Sequence, residues 1–521
     1  MDQHCITFHR ENSLERAKTL IVPTGTRLSE AAANAGFPLR THCGGAGTCG
    51  KCLIRVGQQQ IRACQTTVDS ALAVGNLDVY IPDSSLRDNE QNIVVPLDSN
   101  STGVKAERAG HRYGVAVDIG TTTLAAELHD FSGKMPVQTV SRANPQRQFG
   151  DDVISRIQKV MEHSSALTTM QRLIVGAINE MTTELAAKAG IAPQEISIMV
   201  AAGNTVMQSI LFGIDPSPLG GTPFHASTTT FPARLGSEIG LTMSAEGTIE
   251  ALPIFGGFVG GDIVAGILTV HQLPLFGVPW LFLDIGTNGE IVLSHRGKLF
   301  TAATAAGPTF EGANIRHGTL AVPGAIDHVA IPSGTNTVEK ITVSTIGNKP
   351  PIGICGSGLI DAVAVLLDHG IILPNGRFAE KQSHIELVAA TESDTGEAIV
   401  LTQKDIRELQ LATGAIRAGI TLLCQTNDVP LEMIDQFYVA GGFGQSIRLS
   451  SARRIGLLPP IPPERFQFCG NTSLAGARAV LLDPTNSKIA HQIVDRSQHG
   501  ELAELPQFQQ VFAESMQFAP S

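Results

Sequence analysis

Apolar and polar positions follow two different periods along this chain of 521 residues. Near the start, HCITFHR and KTLIVPTG alternate like the two strands of a hairpin, RLSEAAANAGF spaces its apolar residues like a helix, and CLIRVG has the pattern of a returning strand. Further along, strand-like apolar runs alternate with long helical periods such as RLIVGAINEMTTELAAKAG, as they do in α/β proteins. The pattern therefore predicts a small β-rich unit followed by a larger α/β body.

The α/β body contains one internal sequence repeat. VAVDIGTTTLAAEL (115–128) and LFLDIGTNGEIVL (281–293) each consist of an apolar strand, the letters DIGT, a polar tip and a second apolar strand. Such a segment is expected to fold as a β-hairpin. Two copies within one body indicate two related lobes.

These patterns set the predicted domain boundaries. A polar stretch without periodicity, RDNEQNIVVPLDSNSTGVKAERAGHR, separates the first unit from the body and is predicted to be a linker. The predicted fold class is α/β multidomain. Its divisions are an N-terminal domain at 1–86, a linker at 87–112, a first lobe at 113–279, a second lobe at 280–490 and a C-terminal tail at 491–521.

One apolar stretch is long enough for a membrane span. IVAGILTVHQLPLFGVPWLFL (263–283) carries no formal charge, but His271, Gln272, Pro274 and Pro279 interrupt it. An isolated span would leave polar groups unpaired in lipid, whereas a helix, a turn and a buried strand accommodate them. The N-terminus also lacks the apolar core of a secretory signal. We therefore expect no membrane insertion and a cytoplasmic location.

Composition argues against one class of partner. Hydrophobic residues make up 43% of the chain and charged residues 16%, which is typical of a folded protein rather than a disordered one. The formal net charge is −11, and no run of Lys and Arg with interleaved aromatic residues occurs. Nucleic acid is therefore not an expected partner.

Four of the eight cysteines are grouped near the N-terminus. They follow the spacing C-x5-C-x2-C-x11-C and are Cys43, Cys49, Cys52 and Cys64. Glycines between the first three allow the backbone to wrap closely round a bound group. The spacing resembles the loop of [2Fe-2S] ferredoxins with one more residue in the first gap, and the order of strands and helix resembles a β-grasp ferredoxin. This resemblance implies a [2Fe-2S] cluster held by the four thiolates.

Two other interpretations of the cysteines remain open. Cys49 and Cys52 form a C-x2-C pair, which also occurs in zinc sites and in redox dithiols. Zinc sites of this type usually contain two such pairs, and the sequence has one. A dithiol would not need Cys43 and Cys64. The spacing therefore favours iron over both alternatives.

The two DIGT hairpins are candidates for phosphate binding. Glycine lets the backbone approach a phosphate closely, and threonine adds a hydroxyl donor. The predicted binding residues are Gly120, Thr121, Thr122 and Thr123 in the first turn and Gly286, Thr287, Asn288 and Gly289 in the second. Asp118 and Asp284 precede the turns and are predicted to hold Mg²⁺ between the phosphates, directly or through water. The P-loop motif does not occur in the sequence.

A third glycine-rich segment, FYVAGGFGQSI, follows a short apolar strand. Its predicted contacts with adenine or ribose are Gly441, Gly442, Phe443 and Gly444. In this order, DIGTTT, DIGTNGE and AGGFG resemble the phosphate-1, phosphate-2 and adenosine motifs of the superfamily of acetate and sugar kinases, chaperones and actin. The resemblance implies a two-lobed actin-like (ribonuclease H-like) ATPase fold that binds ATP.

A third acidic residue is a candidate for the cleft. Asp262, in GGD, lies where related enzymes place polar groups, so it joins Asp118 and Asp284 as a candidate catalytic residue. A helix N-cap explains Asp262 equally well. Ser357 in CGSGLIDAV is likewise either a phosphate contact or an ordinary cap at a helix start. The choice between cleft and surface loop is open for Glu311, Asn314 and Arg316.

Four longer sequence segments make the resemblance to a family more specific. AAGNTVMQSILFGIDPSPLG, FVGGDIVAGI, AAGPTFEGANIRHG and PIGICGSGLIDAVA are similar to segments of reductive activators of corrinoid proteins, and the resemblance covers nearly the whole chain. It implies an ATP-dependent activator that passes one low-potential electron through its cluster to cob(II)alamin on a partner, regenerating cob(I)alamin. The implied partner is a corrinoid protein of a methyltransferase or O-demethylase system, and the implied source of electrons is an external donor.

Other functions remain open on the sequence alone. The corrinoid-binding motif D-x-H-x-x-G does not occur, so the corrinoid is expected on the partner. The alternatives are a small-molecule kinase with a redox-sensing ferredoxin domain, a non-catalytic scaffold that binds nucleotide, and an activator of a radical dehydratase. The last alternative fits less well, because those relatives share a four-iron cluster between two chains. A homodimer is a general expectation for soluble proteins.

Overall fold

The structure is a computed structural model of the full chain. It describes residues 3–11, 17–37, 39, 52–69, 76–82, 85, 110–133, 137–270, 278–331, 341–441, 447–500 and 502–518.

The N-terminal domain is a mixed sheet with one helix packed on it. Its elements are β1 (Gln3–Arg10), β2 (Lys18–Pro23), α1 (Leu28–Asn34), β3 (Leu53–Val56), β4 (Gln59–Arg62) and β5 (Leu77–Ile81). The strand order is β2-β1-β5-β3-β4, with β1 and β5 parallel and the other neighbours antiparallel. Alternate residues of β1, including Ile6 and Phe8, are buried with Leu28 of α1, as the two-residue period predicts.

The first lobe begins with the first DIGT hairpin. Its elements are β6 (Tyr113–Ile119), β7 (Thr123–Asp130), β8 (Gln138–Ala143), α2 (Val153–Glu162), α3 (Ser165–Ala189), β9 (Ile196–Gly203), α4 (Thr205–Leu211), β10 (Phe231–Leu235), α5 (Gly236–Ile239), β11 (Thr248–Ala251) and α6 (Gly261–Val270). They form a sheet of order β10-β11-β9-β6-β7-β8. Asp152 caps α2 by accepting a hydrogen bond from the Ser155 amide, and Gly190 in the left-handed conformation ends α3.

The second lobe begins with the second DIGT hairpin. Its elements are β12 (Trp280–Ile285), β13 (Gly289–His295), β14 (Lys298–Thr304), β15 (Ala325–Ala330), β16 (Thr342–Thr345), β17 (Gly353–Ile354), α7 (Gly356–Asp368), β18 (His384–Val388), β19 (Ile399–Thr402), α8 (Gln403–Thr426), β20 (Gln436–Ala440), α9 (Leu449–Arg454), β21 (Phe466–Gly470), α10 (Thr472–Leu482), α11 (Thr485–Asp495), β22 (Ser497–His499) and α12 (Phe508–Ser515). The large sheet has the order β21-β20-β12-β13-β14-β22.

The two large sheets repeat one topology. In each, the second strand of the DIGT hairpin pairs antiparallel with a third strand, and its first strand pairs parallel with a later strand. That later strand pairs parallel with one more strand. The order β11-β9-β6-β7-β8 of the first lobe therefore corresponds to β21-β20-β12-β13-β14 of the second. The internal sequence repeat corresponds to this duplicated topology.

A shared apolar layer joins the two lobes. Helices α6 and α10 pack against each other so closely that a Cβ on Gly476 would lie 2.4 Å from the Cα of Ala265. A Cβ on Gly266 would lie 2.3 Å from the ring of Phe282 in the second sheet, while α10 packs on β6 and β9 of the first. Burying the two helices between the sheets places the ends of both DIGT hairpins on one cleft.

Two stretches singled out in the sequence have a defined place. The apolar stretch 263–283 contains most of α6 and then β12, with residues 271–277 outside the described ranges. Among the described residues, no helix has the length and apolar character needed to cross a bilayer. The segment predicted as a C-terminal tail, 491–521, contains β22, which pairs with β14, and α12, which packs on α8.

Candidate functional site

The two DIGT turns meet at a single carboxylate. Glu311 lies at the end of a short 3-10 helix (Pro308–Glu311) that follows β14. One of its carboxylate oxygens accepts a hydrogen bond from the Thr122 hydroxyl of the first turn, and the other accepts one from the Thr287 hydroxyl at 3.0 Å. Because one side chain touches both turns, the turns face each other across the cleft.

The first turn is held by side chains from three other elements. The Asn144 side chain donates to the Gly120 carbonyl at 2.9 Å, and the Asn144 amide donates to the Thr122 carbonyl at 2.8 Å. Asn204, the N-cap of α4, donates to the Thr121 hydroxyl at 2.8 Å. These bonds leave the turn a defined shape before any ligand binds.

Arg156 of α2 supports the first turn from the protein interior. Its guanidinium is fully buried and donates to the Thr121 carbonyl at 2.6 Å and to the Gly150 carbonyl at 3.1 Å. Burial lowers the pKa of Arg156 to about 9, and the nearby Asp151 carboxylate opposes this effect. The guanidinium therefore remains charged at neutral pH and fixes the carbonyl side of the turn.

The second turn has one described side-chain support, because the Thr304 hydroxyl of β14 donates to the Gly289 carbonyl at 3.0 Å. The Gly286 amide donates to the Asn288 carbonyl at 3.0 Å and closes the turn between β12 and β13. Gly441, directly after β20, approaches this region closely, because a Cβ there would lie 2.8 Å from a carboxylate oxygen of Asp284. Gly441 also has a φ of 97°, a conformation that favours glycine. The other predicted adenosine contacts, Gly442, Phe443 and Gly444, lie outside the described residues.

Four acidic side chains from both lobes influence one another in the cleft. Burial, followed by the charge of Asp118, raises the pKa of Asp284 to about 7. Burial, followed by the charges of Asp284 and Asp118, raises the pKa of Asp262 well above its ordinary value. Burial, followed by the charges of Asp262 and Asp284, does the same for Glu290 of β13. A cation in this part of the cleft would relieve the repulsion.

Both carboxylate oxygens of Asp118 accept hydrogen bonds from side chains of one helix end. Its two oxygens accept hydrogen bonds from the Asn471 side chain at 2.8 Å and the Ser473 hydroxyl at 2.7 Å. Asn471 is the N-cap of α10 and Ser473 lies in its first turn. Burial raises the pKa of Asp118, and these two hydrogen bonds oppose the increase. The N-terminal end of α10 therefore contacts the aspartate that precedes the first turn.

Of the remaining candidate residues, some lie in the cleft and others are exposed at the surface. Asp262 lies in the first turn of α6, where it accepts a hydrogen bond from the Ile263 amide at 2.9 Å and also faces the other acids. Ser357 is not the cap of α7, because the N-cap residue is Cys355, whose thiol lies 3.3 Å from the Ser357 hydroxyl. Asn314 and Arg316 are exposed, unlike Glu311.

Sequence reasoning missed several residues of the cleft. Glu290 was present in the quoted DIGTNGE motif without being assigned a role. The other missed residues are the supports of the first turn and of Asp118, namely Asn144, Arg156, Asn204, Asn471 and Ser473. A local signal existed for Asn144, Asn204 and Asn471, since each directly precedes a helix, where asparagine is a typical N-cap.

The described cysteines of the N-terminal group lie together. Cys52 precedes β3, Cys64 follows β4, and the Ala63 amide donates to the Cys52 carbonyl at 3.1 Å. Both side chains are almost fully buried, and neither forms a disulfide. The end of the β3–β4 hairpin therefore presents two thiols in the protein interior, where a cluster would be shielded. Cys43 and Cys49 lie outside the described residues.

Three family models match the chain in series. Residues 12–74 match the 2Fe-2S iron-sulfur cluster binding domain, residues 113–272 match the RACo middle region, and residues 279–521 match the C-terminal domain of RACo, the ASKHA domain. These matches confirm the predicted fold class, a ferredoxin domain followed by an actin-like ATPase body, and support a [2Fe-2S] cluster and ATP as cofactors.

Named relatives match along nearly the same length. The corrinoid activation enzyme RamQ of Eubacterium limosum is 30% identical, over 94% of this chain and 96% of its own length. The [Co(II) methylated amine-specific corrinoid protein] reductase of Methanosarcina barkeri is 29% identical, over 71% of this chain and 70% of its own. A solved structure of a reductive activator for a corrinoid, iron-sulfur protein is 30% identical, with a TM-score of 0.72, and covers 99% of this chain and 98% of its own.

Proposed function

The chain belongs to the family of reductive activators of corrinoid proteins, and we propose from the geometry of its cleft how its residues perform that activation. It is an ATP-hydrolysing iron–sulfur enzyme that delivers a low-potential electron to the cobalt of a corrinoid protein. The observation that carries the proposed mechanism is the meeting of the two DIGT turns at Glu311.

The cluster is proposed to be held by Cys43, Cys49, Cys52 and Cys64. The burial of Cys52 and Cys64 at one end of the β3–β4 hairpin supports this assignment, because cluster ligands are thiolates shielded from water. A bound [2Fe-2S] cluster supplies a one-electron carrier. The chain's own contribution is to supply four thiolates and to orient backbone amides towards the sulfur atoms.

ATP is proposed to bind between the lobes. Its phosphates accept hydrogen bonds from residues 120–123 and 286–289, and residues 441–444 contact the adenosine. The preformed first turn and the close approach of Gly441 to Asp284 support this arrangement. Mg²⁺ is proposed near Asp118 and Asp284. Mg²⁺ usually takes one or two carboxylates together with phosphate oxygens and waters, so it does not require the set of three protein ligands that the described residues lack.

ATP is proposed to control partner affinity through closure of the cleft. The lobes share the layer of α6 and α10, and the N-terminal end of α10 donates hydrogen bonds to Asp118. A nucleotide bound to both turns shifts the lobes towards one arrangement only if its contacts differ between the two arrangements. Closure would then alter the affinity for the corrinoid protein, and hydrolysis would permit release after electron transfer.

The partner and the redox chain are proposed in general terms. The partner is a corrinoid protein of a methyltransferase or O-demethylase system, the electrons come from an external donor, and the chain acts as a homodimer in the cytoplasm. The names of the two relatives, which refer to corrinoid activation and to a corrinoid protein of methylated amines, support this class of partner.

A spectroscopic experiment tests the proposal. The reconstituted, reduced protein is mixed without oxygen with Mg·ATP and a corrinoid protein loaded with cob(II)alamin. We expect the visible spectrum of cob(I)alamin to appear with ATP and to be absent without it. Cys52→Ser should abolish the effect, whereas Cys424→Ser, at a buried cysteine of the second lobe, should retain it. Cobalt reduction that proceeds equally well without ATP would contradict the proposed coupling.

A further inference from the structure

Among the residues that the structure describes, Glu311 is the one carboxylate that contacts both phosphate-binding turns. Its neighbours in the chain fix its position, because Gly312 has a φ of 79° and a Cβ there would lie 2.5 Å from the Thr319 amide nitrogen. The Gly312 amide donates to the Thr309 carbonyl at 3.0 Å and closes the loop. The side chain is thus held at the junction of the lobes by a rigid loop.

The other acids of the cleft have different surroundings. Both oxygens of Asp118 are engaged by α10, and Asp262 accepts the Ile263 amide at the start of α6. Asp262 and Asp284 repel each other in the part of the cleft where a cation would bind. The charged groups that influence Glu311 are instead Arg147 and Asp151, with Arg156 behind them.

We propose that Glu311 is the general base of ATP hydrolysis, positioning and deprotonating the water that attacks the γ-phosphate; this rests on the proposed function of the two turns. A phosphate that accepts hydrogen bonds from both turns must lie beside the carboxylate that already contacts both. The water oxygen forms a bond to the γ-phosphorus as the bond to the β,γ-bridging oxygen breaks, and ADP leaves with that electron pair. The proton of the water passes to Glu311 and then to solvent, leaving inorganic phosphate.

The electrostatic surroundings agree with this role. Burial raises the pKa of Glu311, and the Thr122 hydroxyl, the Arg147 charge and the Thr287 hydroxyl oppose the increase. A base is most effective when its pKa lies near the working pH. Arg147 is itself paired with Asp151 at 2.8 Å in the buried region next to α2, so its charge is partly compensated.

The test separates proton transfer from simple bridging. In Glu311→Gln, the amide oxygen can accept one threonine hydroxyl while the amide nitrogen donates to the other, so the contact between the turns is retained without a base. Hydrolysis of Mg·ATP is measured in a single turnover by the full-length, cluster-loaded protein with its corrinoid partner. The Kd for Mg·ATP is measured in parallel. Glu392→Gln, at an exposed glutamate of the second lobe, is the control.

We expect Glu311→Gln to bind Mg·ATP within about threefold of the unaltered chain but to hydrolyse it roughly 100-fold more slowly, the usual contribution of a general base. Glu311→Asp should retain an intermediate rate. The rate of the unaltered chain should fall on acidification as Glu311 is protonated, and the residual rate of the glutamine variant should lack this fall. Glu392→Gln should behave like the unaltered chain.

Two results would overturn the assignment. One is a glutamine variant that keeps more than about a tenth of the rate, since loss of a base costs far more. The other is a rate loss fully explained by weaker Mg·ATP binding, which would make Glu311 a bridge alone. Failure of the proposed function would look different, because the unaltered chain would then neither bind nor hydrolyse Mg·ATP.

Discussion

The two DIGT turns share a sequence pattern and a topology, but they are supported in different ways. The first is fixed from outside by Asn144, Arg156 and Asn204, which come from three separate elements. The second closes through a hydrogen bond within its own backbone, accepts one side-chain hydrogen bond from Thr304 of β14 and lies beside Gly441. A preformed turn loses little conformational entropy when it binds phosphate. We infer that the first turn is the fixed receptor and that the second adjusts when the cleft closes.

Arg156 provides the strongest test of this difference. Arg156→Ala would leave the carbonyls of Thr121 and Gly150 without their buried donor. Each unsatisfied buried group costs about 1–3 kcal/mol. We expect urea unfolding to show a loss of stability of about 3 kcal/mol and Mg·ATP binding to be lost. Lys159→Ala, on the same helix but in an exposed ion pair with Glu162, should have a much smaller effect on stability. Equal losses in the two variants would refute the preformed turn.

The glycines that begin the two turns form a matched pair. A Cβ on Gly120 would lie 2.4 Å from the Thr123 carbonyl oxygen, whereas a Cβ on Gly286 would have its nearest neighbour, the Asn288 carbonyl oxygen, at 3.7 Å. We expect Gly120→Ala to weaken Mg·ATP binding by about tenfold or more, which corresponds to about 1.4 kcal/mol. Gly286→Ala should change the Kd by less than about threefold. Isothermal titration measures both, and a reversed order would contradict the contrast.

The aspartates before the turns differ in their response to pH. The pKa of Asp284 is raised to about 7, so the folded chain binds this proton more tightly than the unfolded chain. Asp284 therefore makes its full contribution to stability below about pH 4, the usual pKa range of an aspartate in an unfolded chain. This contribution is lost as the pH rises through 7. In metal-free buffer, Asp284→Asn should therefore raise the Tm relative to the unaltered chain at pH 8 and leave it unchanged near pH 4.

Asp118→Asn is the comparison for that experiment. Asparagine at this position would disturb the hydrogen bonds from Asn471 and Ser473, so its gain in Tm at pH 8 should be smaller than that of Asp284→Asn. A larger gain for Asp118→Asn would mean that the repulsion is concentrated at the first turn instead of the second.

Ser473→Ala should have the smallest effect. It removes one hydrogen bond to Asp118 and leaves the one from Asn471. We expect a loss of stability of about 1 kcal/mol at pH 8 and a smaller loss at low pH, because a hydroxyl bonds a charged carboxylate more strongly than a protonated one. Chemical unfolding at the two pH values measures the difference. A pH-independent loss would indicate that Ser473 contributes through packing on α10 and not through the carboxylate.

Local patterns accounted for much of the fold. The alternation in HCITFHR, the helical spacing around Leu28 and the two DIGT hairpins all appear as predicted, since each depends on neighbours within a few residues. The sequence left Glu311 open between the cleft and a surface loop, because its partner Thr122 is 189 residues away. The pairing of Asn471 with Asp118 spans 353 residues, and local periodicity contains no information about such distances.

By itself, the sequence determined the duplicated hairpins, their glycine turns, the cysteine group and the order of the domains. These features follow from side-chain periods of two and 3.6 residues and from the conformations open to glycine. Only the tertiary structure decided that α10 covers the sheet of the first lobe, that buried Arg156 supports one turn and that Glu311 joins both. The physical reason is that burying two sheets against shared helices brings together polar groups whose partners lie far away in the chain, where burial without a partner is too costly.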